Sequence, residues 1–143
     1  ETMRYGEDID FSMRLYEAGS RVVLLPEAVL YHKRRVDLRK FYRQVWHSGT
    51  ARVELSRRHP GSMRLTYLLP TLFVVTTLVV TLLALWCPWF WLYHLLFIVS
   101  IFADAFYRTH SAAVAWRAVV ASFVQLSGYG IGYLSQRVKR CKA

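Results

Sequence analysis

Residues 68 to 103 read LLPTLFVVTTLVVTLLALWCPWFWLYHLLFIVSIFA, thirty-six consecutive positions without a charged side chain. A single helix through them measures about 54 Å at ~1.5 Å per residue, too long for one crossing of a ~30 Å hydrocarbon core. Two crossings fit: residues 66–86 form one, Cys87-Pro88 the break, and residues 89–106 the return. Trp86, Trp89 and Trp91 flank the break, and tryptophan collects where a membrane meets water. Pro70 falls in a first helical turn, where a missing N–H is harmless. The run ends at Asp104, Tyr107, Arg108 and His110, residues suited to the headgroup region.

Outward from this run the composition is lopsided. The 143 residues carry 19 Lys+Arg against 9 Asp+Glu, a net charge of +10, and 55% of them are apolar. So apolar and aromatic a chain is neither a disordered basic tail nor an ordinary soluble domain. Its cations crowd the ends of apolar segments, which points to membrane lipid rather than nucleic acid as their partner. The two cysteines, Cys87 and Cys141, have no metal-site or disulfide spacing. The opening residues are polar and acidic, so the chain is expected to be a piece of a longer protein whose membrane targeting comes from internal segments.

Downstream, residues 111–134 have the length of a third crossing. They also contain Arg117, Gln125 and the run Gly128-Tyr-Gly-Ile-Gly132, and they precede the cations Arg137, Lys139, Arg140 and Lys142. With the basic N-terminal part cytoplasmic, a full third crossing leaves those cations outside, against the positive-inside tendency. A spanning helix and a re-entrant or interfacial segment therefore stand as alternatives.

Upstream, residues 1–64 hold 13 Lys+Arg and 8 Asp+Glu. Ile9, Phe11, Met13, Leu15 and Tyr16 mark a short helix from Glu7 to Ala18, with Gly19 placed to end it in a left-handed conformation. Residues 21–25 and 28–31 are β-prone runs parted by Pro26-Glu27. Asp37 can cap a helix over 37–59, whose stripe is Leu38, Phe41, Tyr42, Val45, Trp46, Gly49 and Val53. Arg39, Lys40, Arg43, Arg52, Arg57 and Arg58 surround that stripe, a composition that suits a helix in the membrane interface.

Chemistry concentrates at Gly6-Glu7-Asp8-Ile9-Asp10, three carboxylates at a helix start behind a glycine. Acids there stabilise the helix N-terminus, and one presented at a loop-to-helix junction can also serve as a general base. The longer string Gly6-Glu-Asp-Ile-Asp-Phe-Ser-Met-Arg-Leu-Tyr-Glu-Ala-Gly19, then Leu24-Leu-Pro-Glu27 and Tyr31-His-Lys-Arg-Arg35, resembles the C-terminal end of the catalytic domain of family 2 glycosyltransferases of the GT-A fold. The resemblance covers residues 1 to about 62 and continues into the kind of membrane anchor that many such enzymes carry.

The resemblance implies an α/β remnant over residues 1–62, followed by helical membrane segments over 63–143, with the fragment mostly α. It implies Asp8 as the base that takes the acceptor hydroxyl's proton in an inverting transfer, Glu7 as its companion, and Asp10 as a structural acid. It implies His32 as a ligand of Mg²⁺ or Mn²⁺ on the donor diphosphate, the other ligands lying outside this fragment. Lys33, Arg34 and Arg35 suit a diphosphate or a lipid phosphate, whose oxygens match guanidinium geometry. The expected partners are a nucleotide-sugar donor, a lipid-linked or cell-envelope glycan acceptor and membrane lipids. The expected location is the cell membrane, multi-pass, with the catalytic part cytoplasmic. The nucleotide-binding half of the domain is expected elsewhere, so the fragment alone is expected to be inactive. The Gln-x-x-Arg-Trp string of processive polysaccharide synthases is absent, Arg43-Gln-Val-Trp46 being a loose echo, which favours single-sugar transfer. A processive synthase is the alternative within the enzyme class, and a non-catalytic anchor that binds anionic lipid is the alternative outside it.

Overall fold

A computed structural model describes residues 5–21, 23–31 and 37–141. Its elements are α1 (Glu7–Glu17), α2 (Leu38–Arg58), α3 (Leu69–Leu83), α4 (Trp91–Thr109) and α5 (Ala112–Cys141), with short 3₁₀ turns at Leu65–Leu68 and Pro88–Phe90 leading into α3 and α4. No strand occurs among the described residues, so the α/β character expected for residues 1–62 is not found. Residues 23–25 and 28–31 run as irregular chain around a turn at Pro26–Glu27, where the Ala28 N–H donates to the Leu25 carbonyl at 3.1 Å. β-prone residues become a strand only beside another strand that takes their backbone hydrogen bonds, and none is present among the described residues. Leu30 and Tyr31 are 90% and 95% exposed.

The helix ends follow local chemistry. Gly19 has φ +78°, and the Gly19 and Ser20 N–H groups donate back to Tyr16 and Leu15, closing α1 with a left-handed residue. Asp37 caps α2: its carboxylate accepts from the Arg39 and Lys40 N–H groups at 2.7 and 3.3 Å. The two backbone bonds hold its carboxyl below the usual range.

The segments Leu65–Leu83 and Pro88–Thr109 are each long and apolar enough to cross a membrane, and their apolar side chains are not buried within the chain. They form a hairpin through Phe73 and Phe97, whose rings lie 5.0 Å apart, and through Thr81 Oγ1 and His94 Nε2 at 3.1 Å.

α5 is the common partner of the other long helices. It runs unbroken for 30 residues, beyond the 111–134 segment marked out by composition. Near its start Trp116 meets Phe102 of α4, further on Phe123 meets Phe73 of α3, and later its glycines meet both α2 and α3. A helix turns about 100° per residue, so Gly128 and Gly132 share one face and Gly130 lies on the opposite one. A β-carbon on Gly132 would strike the Trp46 carbonyl, and one on Gly130 would strike the Pro70 carbonyl. Bare backbone on both sides thus lets α2 and α3 close on α5, as small residues do where helices approach closely. On α2 the matching gap is Gly49, set against the Tyr129 carbonyl and buried with Val45 and Val53. Of the stripe expected to lie in a membrane interface, Val45, Gly49 and Val53 are buried, while Leu38 and Tyr42 stay exposed.

Candidate functional site

Gly6 precedes α1 with φ +77°, a backbone angle that favours glycine, and its carbonyl accepts the Asp10 N–H at 3.0 Å. The turn sets Glu7, Asp8 and Asp10 in the first turn of the helix, where backbone N–H groups favour negative charge. Their side chains part there. Glu7 and Asp8 are exposed, whereas Asp10 is only 6% exposed. The Asp8 carbonyl accepts from Ser12 Oγ at 2.8 Å.

Asp10 reaches across to the end of α2. Its Oδ1 lies 3.0 Å from His59 Nε2, and its Oδ2 lies 3.2 Å from Arg14 Nε and 4.0 Å from an Arg58 nitrogen. The other nitrogen of His59, Nδ1, lies 2.7 Å from Glu17 Oε1. His59 is thus buried between two carboxylates of α1. The hydrogen bond from His59, then Arg14 and Arg58, hold the Asp10 carboxyl below its ordinary range against the opposing effect of burial. Glu17 first and Asp10 second raise His59 above the ordinary imidazole range, again against burial. Further along, Tyr5 stacks on His47 of α2 with ring centres 3.7 Å apart. Between α1 and the bend after α2 lies an open depression of about 420 Å³, lined by Ile9, Met13, Tyr16, His59 and Pro60.

Of the residues singled out by sequence, Glu7 and Asp8 thus share one exposed helix start. His32, Lys33, Arg34 and Arg35 lie outside the described residues. Among the described residues no three His, Cys, Asp or Glu side chains come together as a metal site.

Residues 2–125 match the model of the family described as glycosyl transferase family group 2. The chain belongs to that family. Two curated relatives, both named pre-mycofactocin glycosyltransferase and from Mycobacterium tuberculosis strains CDC 1551 / Oshkosh and ATCC 25618 / H37Rv, are 43% identical to it over 61 residues. The match covers 42% of this chain, which spans 13% of the length of each relative. No solved structure matches the chain.

Within this glycosyl transferase chain the residue that sequence reading missed is His59. In the sequence it is only the last position of the helix over 37–59, because its partners Asp10 and Glu17 stand 49 and 42 positions away. The isolated hint was the pair of acids on α1, seven residues apart and so two turns along one face of the helix.

Proposed function

We propose that the whole protein transfers a sugar from a nucleotide-sugar donor to a lipid-linked or cell-envelope glycan acceptor, with inversion, and that Asp8 is its general base. The observation that carries this reading is the membership in group 2 of a chain whose Asp8 stands exposed at a helix start, while the neighbouring Asp10 is engaged elsewhere. In the reaction an Asp8 oxygen accepts the proton of the acceptor hydroxyl as that oxygen bonds to the anomeric carbon. The bond to the nucleotide diphosphate breaks on the opposite face and the diphosphate leaves with the electron pair. Glu7 adjoins Asp8 as its companion in the same exposed first turn.

The donor diphosphate implies Mg²⁺ or Mn²⁺. The described residues do not by themselves make a site for such an ion. His32 is proposed as one ligand, with Lys33, Arg34 and Arg35 meeting phosphate oxygens.

The apolar hairpin is proposed to cross the cell membrane with residues 1–64 cytoplasmic. Thirteen cations in that part, and Arg108 at the end of α4, agree with the positive-inside tendency. An acceptor with a polar head and an apolar tail could then meet the site from the bilayer. The test is Asp8→Asn in the full-length enzyme. Turnover falls by about 10²-fold or more, the scale of losing a general base, while donor binding persists. Near-normal turnover would discard the assignment.

A further inference from the structure

α1 carries the proposed base, yet it has almost no core of its own. Its one buried residue is Asp10, and Ile9, Phe11, Leu15 and Tyr16 are exposed. A helix so poorly buried keeps its place through specific contacts, and the described ones converge on α2: the Tyr5–His47 stack, and the His59 ring set between Asp10 at 3.0 Å and Glu17 at 2.7 Å. Among the described residues the charged groups around that ring are Asp10 and Glu17 of α1, with Arg14 and Arg58 on the far side of Asp10.

We infer that His59 is a positioning residue, a clasp that holds α1, and Asp8 with it, against the end of α2. The clasp stands on geometry, and only its effect on turnover rests on the reading of Asp8 as base. Both ring nitrogens face carboxylate oxygens, so both donate only when the ring is protonated. Glu17 and Asp10 favour that form. The stabilisation is therefore fully present below the ordinary histidine pKa of about 6.5. It fades as pH rises through the raised value in the folded protein, where one nitrogen's lone pair comes to face a carboxylate. A misplaced base costs rate steeply, because proton transfer needs the acceptor hydroxyl within hydrogen-bond reach.

The experiment uses the full-length enzyme in lipid nanodiscs, with Cys87 and Cys141 replaced by Ser and spin labels at the exposed positions 11 and 48, on α1 and α2. The expected result is one narrow distance at pH 6 that broadens as pH rises. His59→Ala is broad at both ends of the range and lowers turnover by about tenfold or more with donor KM unchanged. Glu17→Gln alters an exposed carboxylate and spares the rest of the clasp, so it moves the midpoint of broadening to lower pH. A narrow distance in His59→Ala, or an unmoved midpoint in Glu17→Gln, overturns the inference. Asp8→Asn keeps the narrow distance; if that variant is also fully active, the base reading fails and the clasp stands.

Discussion

Gly132 of α5 lies against the main-chain carbonyl of Trp46 of α2, with no room between them for a β-carbon. The contact ties the polar part of the chain directly to its apolar part. Gly128, one turn earlier on the same face, lies under the Tyr42 ring, and Gly49 opposes Tyr129, so the two helices meet over several turns.

Gly132→Ala is therefore expected to push α2 and α5 apart. Overpacking of this kind costs about 1–3 kcal/mol. Thermal unfolding of the detergent-solubilised protein checks it. Gly61→Ala is the comparison: it enters open space, and its cost is the local one of a side chain at φ +90°. A Gly132→Ala protein as stable as the wild type would show that the helices do not pack this closely.

The acid side of the α1 clasp has its own signature. Asp10 is held below its ordinary value of 3.8, so its contribution is complete above that value and is lost as pH falls through the lower value in the folded state. His59 stays protonated throughout this range and adds no opposing change. Amide hydrogen exchange across α1 should thus stay slow at pH 5 and accelerate below pH 4, after correction for intrinsic rates. In Asp10→Asn it should be fast already at pH 5; slow exchange in that variant would show that the carboxylate does not hold the helix.

The apolar hairpin makes a third expectation. Leu78 of α3 is 61% exposed and central in the apolar segment, so in a bilayer it faces lipid or a neighbouring helix. Leu78→Arg puts a charge there at a cost of about 2.5–3.5 kcal/mol for insertion. The fraction of protein that resists alkaline extraction from membranes should drop sharply. The same change at Leu65, 85% exposed at the segment's edge, should have little effect, because its charge can reach the headgroups.

Much of this architecture was legible in the sequence where its cause is local. Asp37 and Gly19 mark helix ends through bonds to their own neighbours, and the charge-free run with its Cys87-Pro88 break marks the hairpin. Residues 21–31 misled, since β-propensity reports fit to a sheet that is not among the described residues. The Gly128–Gly132 run was conspicuous but mute: what a glycine admits depends on the helix that comes to meet it, here Trp46 and Pro70 from two other elements. At the proposed site, Glu7 and Asp8 were singled out through the order of their neighbours. His59 escaped because nothing near it in the chain hints at acids more than forty positions away.

On the proposed topology, the contact between Gly132 and Trp46 predicts on which side of the membrane the end of α5 lies. Trp46 precedes the first apolar segment by about twenty residues and belongs to the part proposed as cytoplasmic. A helix that touches it through bare backbone has the later part of α5 on that same side. Arg137 and Lys139, exposed beyond the contact, are then expected on the side of the α2 cations, in line with the positive-inside tendency, which a third full crossing would violate. A protease-cleavable reporter fused after Ala143 should be protected in sealed spheroplasts and cleaved in inverted vesicles, as should one inserted at Glu27. Cleavage of the C-terminal reporter in intact spheroplasts would mean that α5 crosses the membrane completely, and that it cannot meet α2 through Gly132 in the cell.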